Sequence, residues 1–157
     1  MCGILGGVWK QVDNSLEDRD KSALLTIRHR GPNDSGYEIT SINGNCLVLG
    51  HTRLSIIDLS SAGHQPMYSH DRKYSVVFNG EIYNYRELRV ELSALGYEFR
   101  SDSDTEVLLT AWQHWKEESL PRFVGMFAFV LFDHERGTIS CVRDAFGIKP
   151  FFYTHEH

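Results

Sequence analysis

GMFAFVLFD (125–133) is apolar at every position from Met126 to Phe132. A strand with one wet face alternates apolar and polar residues, so a run without alternation is buried on both faces. Burial on both sides of a strand is what two stacked sheets with helices outside them require. The turn-like HERG (134–137) and the strand-like TISCVRD (138–144) follow directly, making a hairpin.

Outward from this run the strand pattern dominates. CGILGGVW (2–9), GYEITSI (36–42), NCLVLGHTRLSII (45–57), KYSVVFN (73–79) and PFFYT (150–154) all read as strands. Asn43-Gly44 is a hairpin signal between the second and third of these, and KYSVVFN is expected to end in a turn at Asn79-Gly80. A first helix is expected after a cap at Asn14 or Ser15, with Glu17 and Asp18 favouring its first turn. It runs to about Arg28, where Gly31 and Pro32 stop it. YRELRVELSAL (85–95) places Leu88, Leu92 and Leu95 on one helical face, with Gly96 as its C′ residue. Ser103-Asp104-Thr105-Glu106 is a capping-box pattern opening a third helix through VLLTAWQHW. Some eight strands joined by hairpins, with three helices, make an α+β class in a single domain spanning 1–157.

Composition narrows the function. The chain has 157 residues, 41% hydrophobic and 24% charged, with a net charge of −5. That balance lacks the basic stripe of a nucleic-acid-binding surface, and the cations are scattered. No apolar stretch is long enough to span a membrane, and no basic n-region precedes an apolar segment, so the cytoplasm is the expected compartment. Neither G-x-x-x-x-G-K-[ST] nor G-x-G-x-x-G occurs. Three cysteines, Cys2, Cys46 and Cys141, form no C-x-x-C pair, and eight histidines include no H-E-x-x-H, so no metal site is expected. Cys46 and Cys141 read as inert core thiols, whereas the position of Cys2 asks for a chemical reason.

Removal of Met1 would give Cys2 a free α-amine, whose pKa of about 7.7–8.0 suits a general base at neutral pH. One residue would then carry both nucleophile and base, as in the threonine N-terminal hydrolases. The bland alternative is a small residue opening a buried strand. In VVFNGEIYN (76–84), Asn79 and Gly80 can offer a side-chain amide and a backbone N–H to a developing oxyanion; equally, Asn-Gly makes a plain turn. Arg53 lies in an otherwise apolar strand and fits a carboxylate, whether a ligand's or a neighbour's. Asp104 at a helix start can hold an ammonium or act only as a cap. Thiol, oxyanion donors, arginine and acid together describe one ligand class, a free amino acid with a side-chain amide.

The motifs MCGILGG (1–7), RHRGPNDSG (28–36), GHTRLSIIDLSSAGHQPM (50–67), FNGEIYNYRELR (78–89), SDSDTEVLL (101–109) and RDAFGIKPFFY (143–153) resemble, in order, the glutaminase domain of class II glutamine amidotransferases, which are N-terminal nucleophile hydrolases. The likeness is greatest to the glutamine-hydrolysing asparagine synthetase type, on Leu54, Glu81, GHQPM and GIKP. The resemblance implies an αββα sandwich. It implies Cys2 as nucleophile, Asn79 and Gly80 as the oxyanion hole, and Arg53 for the substrate carboxylate. Backbone from Leu54, Ser55, Ile56 and Ile57 would line the pocket, with Glu81 and Asp104 for the α-amine. It implies L-glutamine as substrate and a γ-glutamyl thioester, with no cofactor for that half-reaction.

Two departures stand out. Ala145 and Phe146 occupy positions where arginine and leucine are expected. No S-G-G-x-D-S-like pyrophosphate loop is present, so the C-terminal ATP- and Mg-dependent synthetase domain of such enzymes is expected to be absent from this chain, which reads as an excised domain or as a stand-alone subunit with a separate synthetase partner. The ammonia acceptor stays open, as does a homodimer. A non-catalytic glutaminase-like docking module, or an amidotransferase with an acceptor other than aspartate, are the alternatives.

Overall fold

The computed structural model describes residues 2–10, 16–42 and 44–155. Seven strands form two antiparallel sheets. The three-stranded sheet has the order β1 (Gly3–Trp9), β3 (Asn45–Arg53), β2 (Asp34–Ile42), and the four-stranded sheet runs β4 (Met67–Tyr68), β5 (Tyr74–Ile82), β6 (Gly125–Asp133), β7 (Thr138–Arg143). Helices α1 (Leu16–Thr26), α2 (Tyr85–Ala94) and α3 (Asp104–Trp115), with 3-10 turns at Arg28–Arg30, Ser61–Gly63 and Lys116–Arg122, complete the described elements.

The two-residue period of the strands explains the layering. On β3, Leu47 and Leu49 point between the sheets, where they meet Val77 of β5 and Phe132 of β6, while Cys46 and Val48 face Leu16 of α1 on the other side. On β6, Phe127, Phe129 and Leu131 face α2 and α3, packing with Leu88, Leu92, Leu108 and Trp112. Trp112 meets Phe129 edge to face, with ring centroids 6.0 Å apart. The uninterrupted apolar run of β6 therefore serves two cores at once. Helix, sheet, sheet and helix stack as the expected αββα sandwich.

Local signals explain most boundaries. Gly96, at φ +94°, ends α2 in the left-handed region that glycine tolerates best, and Tyr97 N–H bonds back to the Leu92 carbonyl. Ser103 caps α3 by accepting from Thr105 N–H at 3.1 Å. The capping box does not close, because Glu106 turns back onto the backbone N–H groups of Arg100 and Ser101.

Four expectations are corrected. Strand β5 does not end at Asn79-Gly80 but continues to Ile82, since both residues pair with β6 (Asn79↔Ala128, Gly80↔Phe127). The third strand stops at Arg53 rather than reaching Ile57. PFFYT is not a strand, because no described strand pairs with it. Cys141 is exposed rather than in the core, because β7 is the edge strand of its sheet. The expected caps Asn14 and Ser15, together with Asn43 of the hairpin signal, lie outside the described residues.

Phe129 is fully buried between β6 and α3. Its truncation, Phe129→Ala, is expected to cost about 3–5 kcal/mol, read as a lower denaturant midpoint at unchanged slope.

Candidate functional site

Strand parity brings the chemistry-bearing residues together. Arg53 shares the inward face of β3 with Leu47 and Leu49, and Asn79 shares that of β5 with Val77. The register Gly3↔Thr52, carried one step further, sets Cys2 beside Arg53 at the same end of the sandwich. Cys2, Arg53, Leu54, Ser55, Ile56, Ile57, Asn79, Gly80, Glu81 and Asp104 all line one pocket. Residues 52 positions apart in the chain thus meet at one point.

Cys2 is firmly held. Its Sγ accepts from Leu54 N–H at 3.4 Å, and its carbonyl accepts from Arg30 Nε at 3.1 Å. The following N–H, of Gly3, donates to Thr52 Oγ1 at 3.1 Å. Arg53 is 7% exposed, and its guanidinium donates to the carbonyls of Asp58 and Ser60. It thereby folds the 54–60 loop around the pocket. A Cβ at Gly63 would lie 2.0 Å from Arg53 Nη2, so only glycine leaves room for that arginine. The Asp58 carboxylate accepts from Ser60 N–H and from Asp102 N–H at 3.0 Å, tying this loop to the start of α3.

The donor pair on β5 is an edge feature rather than a turn. Phe127, opposite Gly80, gives its carbonyl to Asp144 N–H at 2.8 Å and its N–H to Asp144 Oδ2 at 3.2 Å. Both groups of Phe127 therefore point away from β5, and the alternation of an antiparallel ladder turns those of Gly80 away from β6. On this outward edge, Phe78 N–H goes to Gln65 Oε1 at 2.7 Å and Ile82 N–H to Asp104 Oδ2 at 3.0 Å. Gly80 N–H lies between them and faces the pocket. Asn79 is 3% exposed, and its Oδ1 is buried without a hydrogen-bond partner among the described residues.

Asp104 is the electrostatic extreme of the pocket. Burial pushes its carboxyl up to about 6, against the lowering effect of the N–H groups of Ile82 and Thr105, while the nearby Glu81 adds to the rise. A buried acid with one strong backbone donor and a second acid beside it is arranged for a cation. Among the described residues, no group of three or more His, Cys, Asp or Glu side chains is set to hold a metal ion. No helix of the described residues is long and apolar enough to cross a membrane.

Sequence reasoning missed eight residues that line the pocket, among them Gln65, Met126 and the buried Lys149 (3% exposed). Gln65 and Lys149 sit in GHQPM and GIKP, motifs that mark a resemblance without revealing a contact. Apolar Met126 gives no signal of its own beyond the run that contains it.

Comparison with known proteins is consistent with this geometry. A family model described as "Glutamine amidotransferase domain" matches residues 1–157. A Bacillus subtilis relative, asparagine synthetase [glutamine-hydrolyzing] 1, is 44% identical over 98% of this chain and 24% of its own length. Asparagine synthetase [glutamine-hydrolyzing] 3 of Arabidopsis thaliana is 42% identical over 97% of this chain and 25% of its own. The chain thus spans about a quarter of the length of these curated relatives. The solved glutamine phosphoribosylpyrophosphate amidotransferase of B. subtilis has the same fold, with a TM-score of 0.73 at 19% identity, over 94% of this chain and 38% of that one.

The raised Asp104 carboxyl makes a stability prediction. Its folded value lies above the unfolded 3.8, so the folded state holds the proton longer and loses stability as pH rises from about 4 to 6. Asp104→Asn removes that loss. The variant's stability relative to wild type is expected to improve by roughly 2 kcal/mol between pH 4 and pH 7.5. Chemical denaturation at both pH values reads it, and an equal difference at both would refute it.

Proposed function

The chain belongs to the glutamine amidotransferase domain family, and from that premise we propose that its pocket hydrolyses the side-chain amide of L-glutamine to glutamate and ammonia. The observation that carries this reading is the convergence of Cys2, Arg53, Asn79, Gly80 and Asp104 on one pocket. Arg53 takes the substrate α-carboxylate, and Glu81 with Asp104 takes the α-ammonium. Backbone from Leu54, Ser55, Ile56 and Ile57 lines the channel between them. An ammonium beside Asp104 supplies the positive charge that a carboxylate buried to this degree lacks.

With Met1 removed, the α-amine of Cys2 takes the thiol proton, and Sγ attacks the amide carbon. The oxyanion forms against Gly80 N–H and the Asn79 side-chain amide. Collapse breaks the C–N bond; the α-ammonium returns its proton to the departing nitrogen, and ammonia leaves a γ-glutamyl thioester. Water, deprotonated by the same amine, cleaves the thioester to glutamate and frees the thiol. Nucleophile, base and donors in this scheme are all groups of the chain itself.

The proposed destination of the ammonia is an amidating synthetase domain or subunit, with aspartate as acceptor, on the strength of the names of the relatives. ATP and Mg would act there and not in this pocket. Surface chemistry supports such a neighbour. The run that contains pocket-lining Lys149 also carries Phe146, Phe152 and Tyr153, exposed at 91%, 92% and 87%. Aromatic side chains so open to water mark a surface suited to another protein surface.

Purified protein with a mass lacking Met1 is expected to release glutamate from glutamine, and Cys2→Ala to release none. Asn79→Ala is expected to lower kcat by about 10²–10³. Demethionylated, reduced wild-type protein without turnover would count against the proposal.

A further inference from the structure

His51 lies on β3, two residues before Arg53, and is fully buried between the sheets. Its Nε2 is 3.1 Å from the carbonyl oxygen of Phe78 on β5, in the opposite sheet. A carbonyl only accepts, so Nε2 carries the proton and Nδ1 is bare. Nδ1 has no partner among the described residues. Burial pushes the imidazole down to about 4, which keeps this single-proton form throughout the neutral range.

The Phe78 peptide groups occupy the outward edge of β5, beyond the reach of the two-residue β4. Side chains therefore replace a neighbouring strand there. His51 holds the Phe78 carbonyl, and Gln65 Oε1 holds the Phe78 N–H at 2.7 Å. Gln65 is itself fixed, donating from Nε2 to Thr105 Oγ1 at 3.2 Å. On the far side of Gly80, Asp104 holds Ile82 N–H. The Phe78 carbonyl belongs to the peptide unit that contains Asn79 N, and that unit sets the direction of the Asn79 side chain and of the next N–H, that of Gly80.

We propose that His51 is a positioning residue: its Nε2–H fixes the peptide plane before Asn79 and so holds the Asn79 amide and Gly80 N–H as a rigid pair aimed at the oxyanion. This rests on the glutaminase reading above. The two donors act on charge that develops in the transition state, whereas the amino-acid end of glutamine is held by Arg53, Glu81 and Asp104. Loosening the pair therefore lowers kcat and leaves substrate binding in place.

The test compares His51→Leu, which keeps volume without a donor, with His51→Gln, whose side-chain amide can donate from nearly the position of Nε2. In the full chain, His51→Leu is expected to lower kcat on the order of 100-fold, with KM for glutamine little changed, and His51→Gln to recover most of the loss. The γ-semialdehyde of glutamate supplies a second readout. Its aldehyde carbon takes the Cys2 sulfur and its oxygen takes the thiol proton, giving a hemithioacetal whose oxygen sits at the donor pair. Its affinity is expected to fall by the same factor as kcat in the leucine variant, while glutamine affinity in a Cys2→Ala background stays as it is.

Equal losses in the leucine and glutamine variants, or a rise in KM in place of the fall in kcat, would overturn the proposal. Should His51→Leu not fold, Gln65→Leu removes the hydrogen bond on the other side of the same peptide and is expected to give the same kcat-selective loss. Wild-type turnover with unchanged kcat in these variants would refute the inference alone. Wild-type protein that neither turns over nor binds the aldehyde would remove the glutaminase reading, and this inference with it.

Discussion

The carboxylate of Asp144 gathers the backbone N–H groups of Phe127, Phe146, Ile148 and Lys149, and the orientation of the pocket follows from that grip. Burial works against its charge, but these N–H donors hold the carboxyl below the usual carboxylate range. With Phe127 committed to Asp144, its partner Gly80 finds no hydrogen bond across the ladder and faces the outer edge. The same carboxylate binds residues 144–149 to β6, which brings Lys149 to the pocket. One buried acid thus sets both the direction of a backbone donor and part of the wall opposite it. RDAFGIKP is a structural brace as much as a family mark; of its two departures, Ala145 stands outside the bracing and Phe146 contributes only its backbone N–H, which does not depend on the side chain there.

Much of this was legible in the sequence where a periodic pattern carried the signal. The unbroken apolar run of β6 requires burial on both faces, and the structure fills those faces with two separate cores. The same two-residue period brings Arg53 and Asn79 inward. Asn79-Gly80 was misread as a turn because the dipeptide is a strong turn signal. Here glycine is needed for another reason: a Cβ at Gly80 would lie 2.3 Å from the Met126 carbonyl oxygen. PFFYT has the residues of a strand and no described partner to pair with, so apolar content alone misled. His51 and Gln65 were not legible as parts of the site, because their contacts to Phe78 and Thr105 cross 13 to 40 residues and no pattern repeats them. The His51 contact, for instance, crosses 27 residues.

The pocket also stores polarity that the fold leaves unmatched. Asn79 Oδ1 is buried without a partner among the described residues, and Asp104 is buried with its carboxyl raised to about 6. Either feature in an ordinary core would be destabilising on the order of 1–3 kcal/mol. Both lie on the wall of one pocket, within residues 79–104 of the chain, whereas Leu47, Leu49, Val77 and Phe132 form an apolar cluster elsewhere between the sheets. In the proposed reaction the substrate meets both demands. Its ammonium sits against Asp104, and its amide brings N–H groups to the Asn79 oxygen and a carbonyl to Gly80 N–H. The surrounding framework has to resist the collapse that would otherwise satisfy these groups internally. Arg53 bonded to the Asp58 and Ser60 carbonyls, Asp58 bonded to Asp102 N–H, and His51 with Gln65 bonded to Phe78 are the contacts that do so. Each of them ends on the backbone, so a side-chain rearrangement in the pocket would have to move the main chain of an adjoining strand or loop. That stiffness is what lets the polar groups stay exposed to a ligand instead of finding one another.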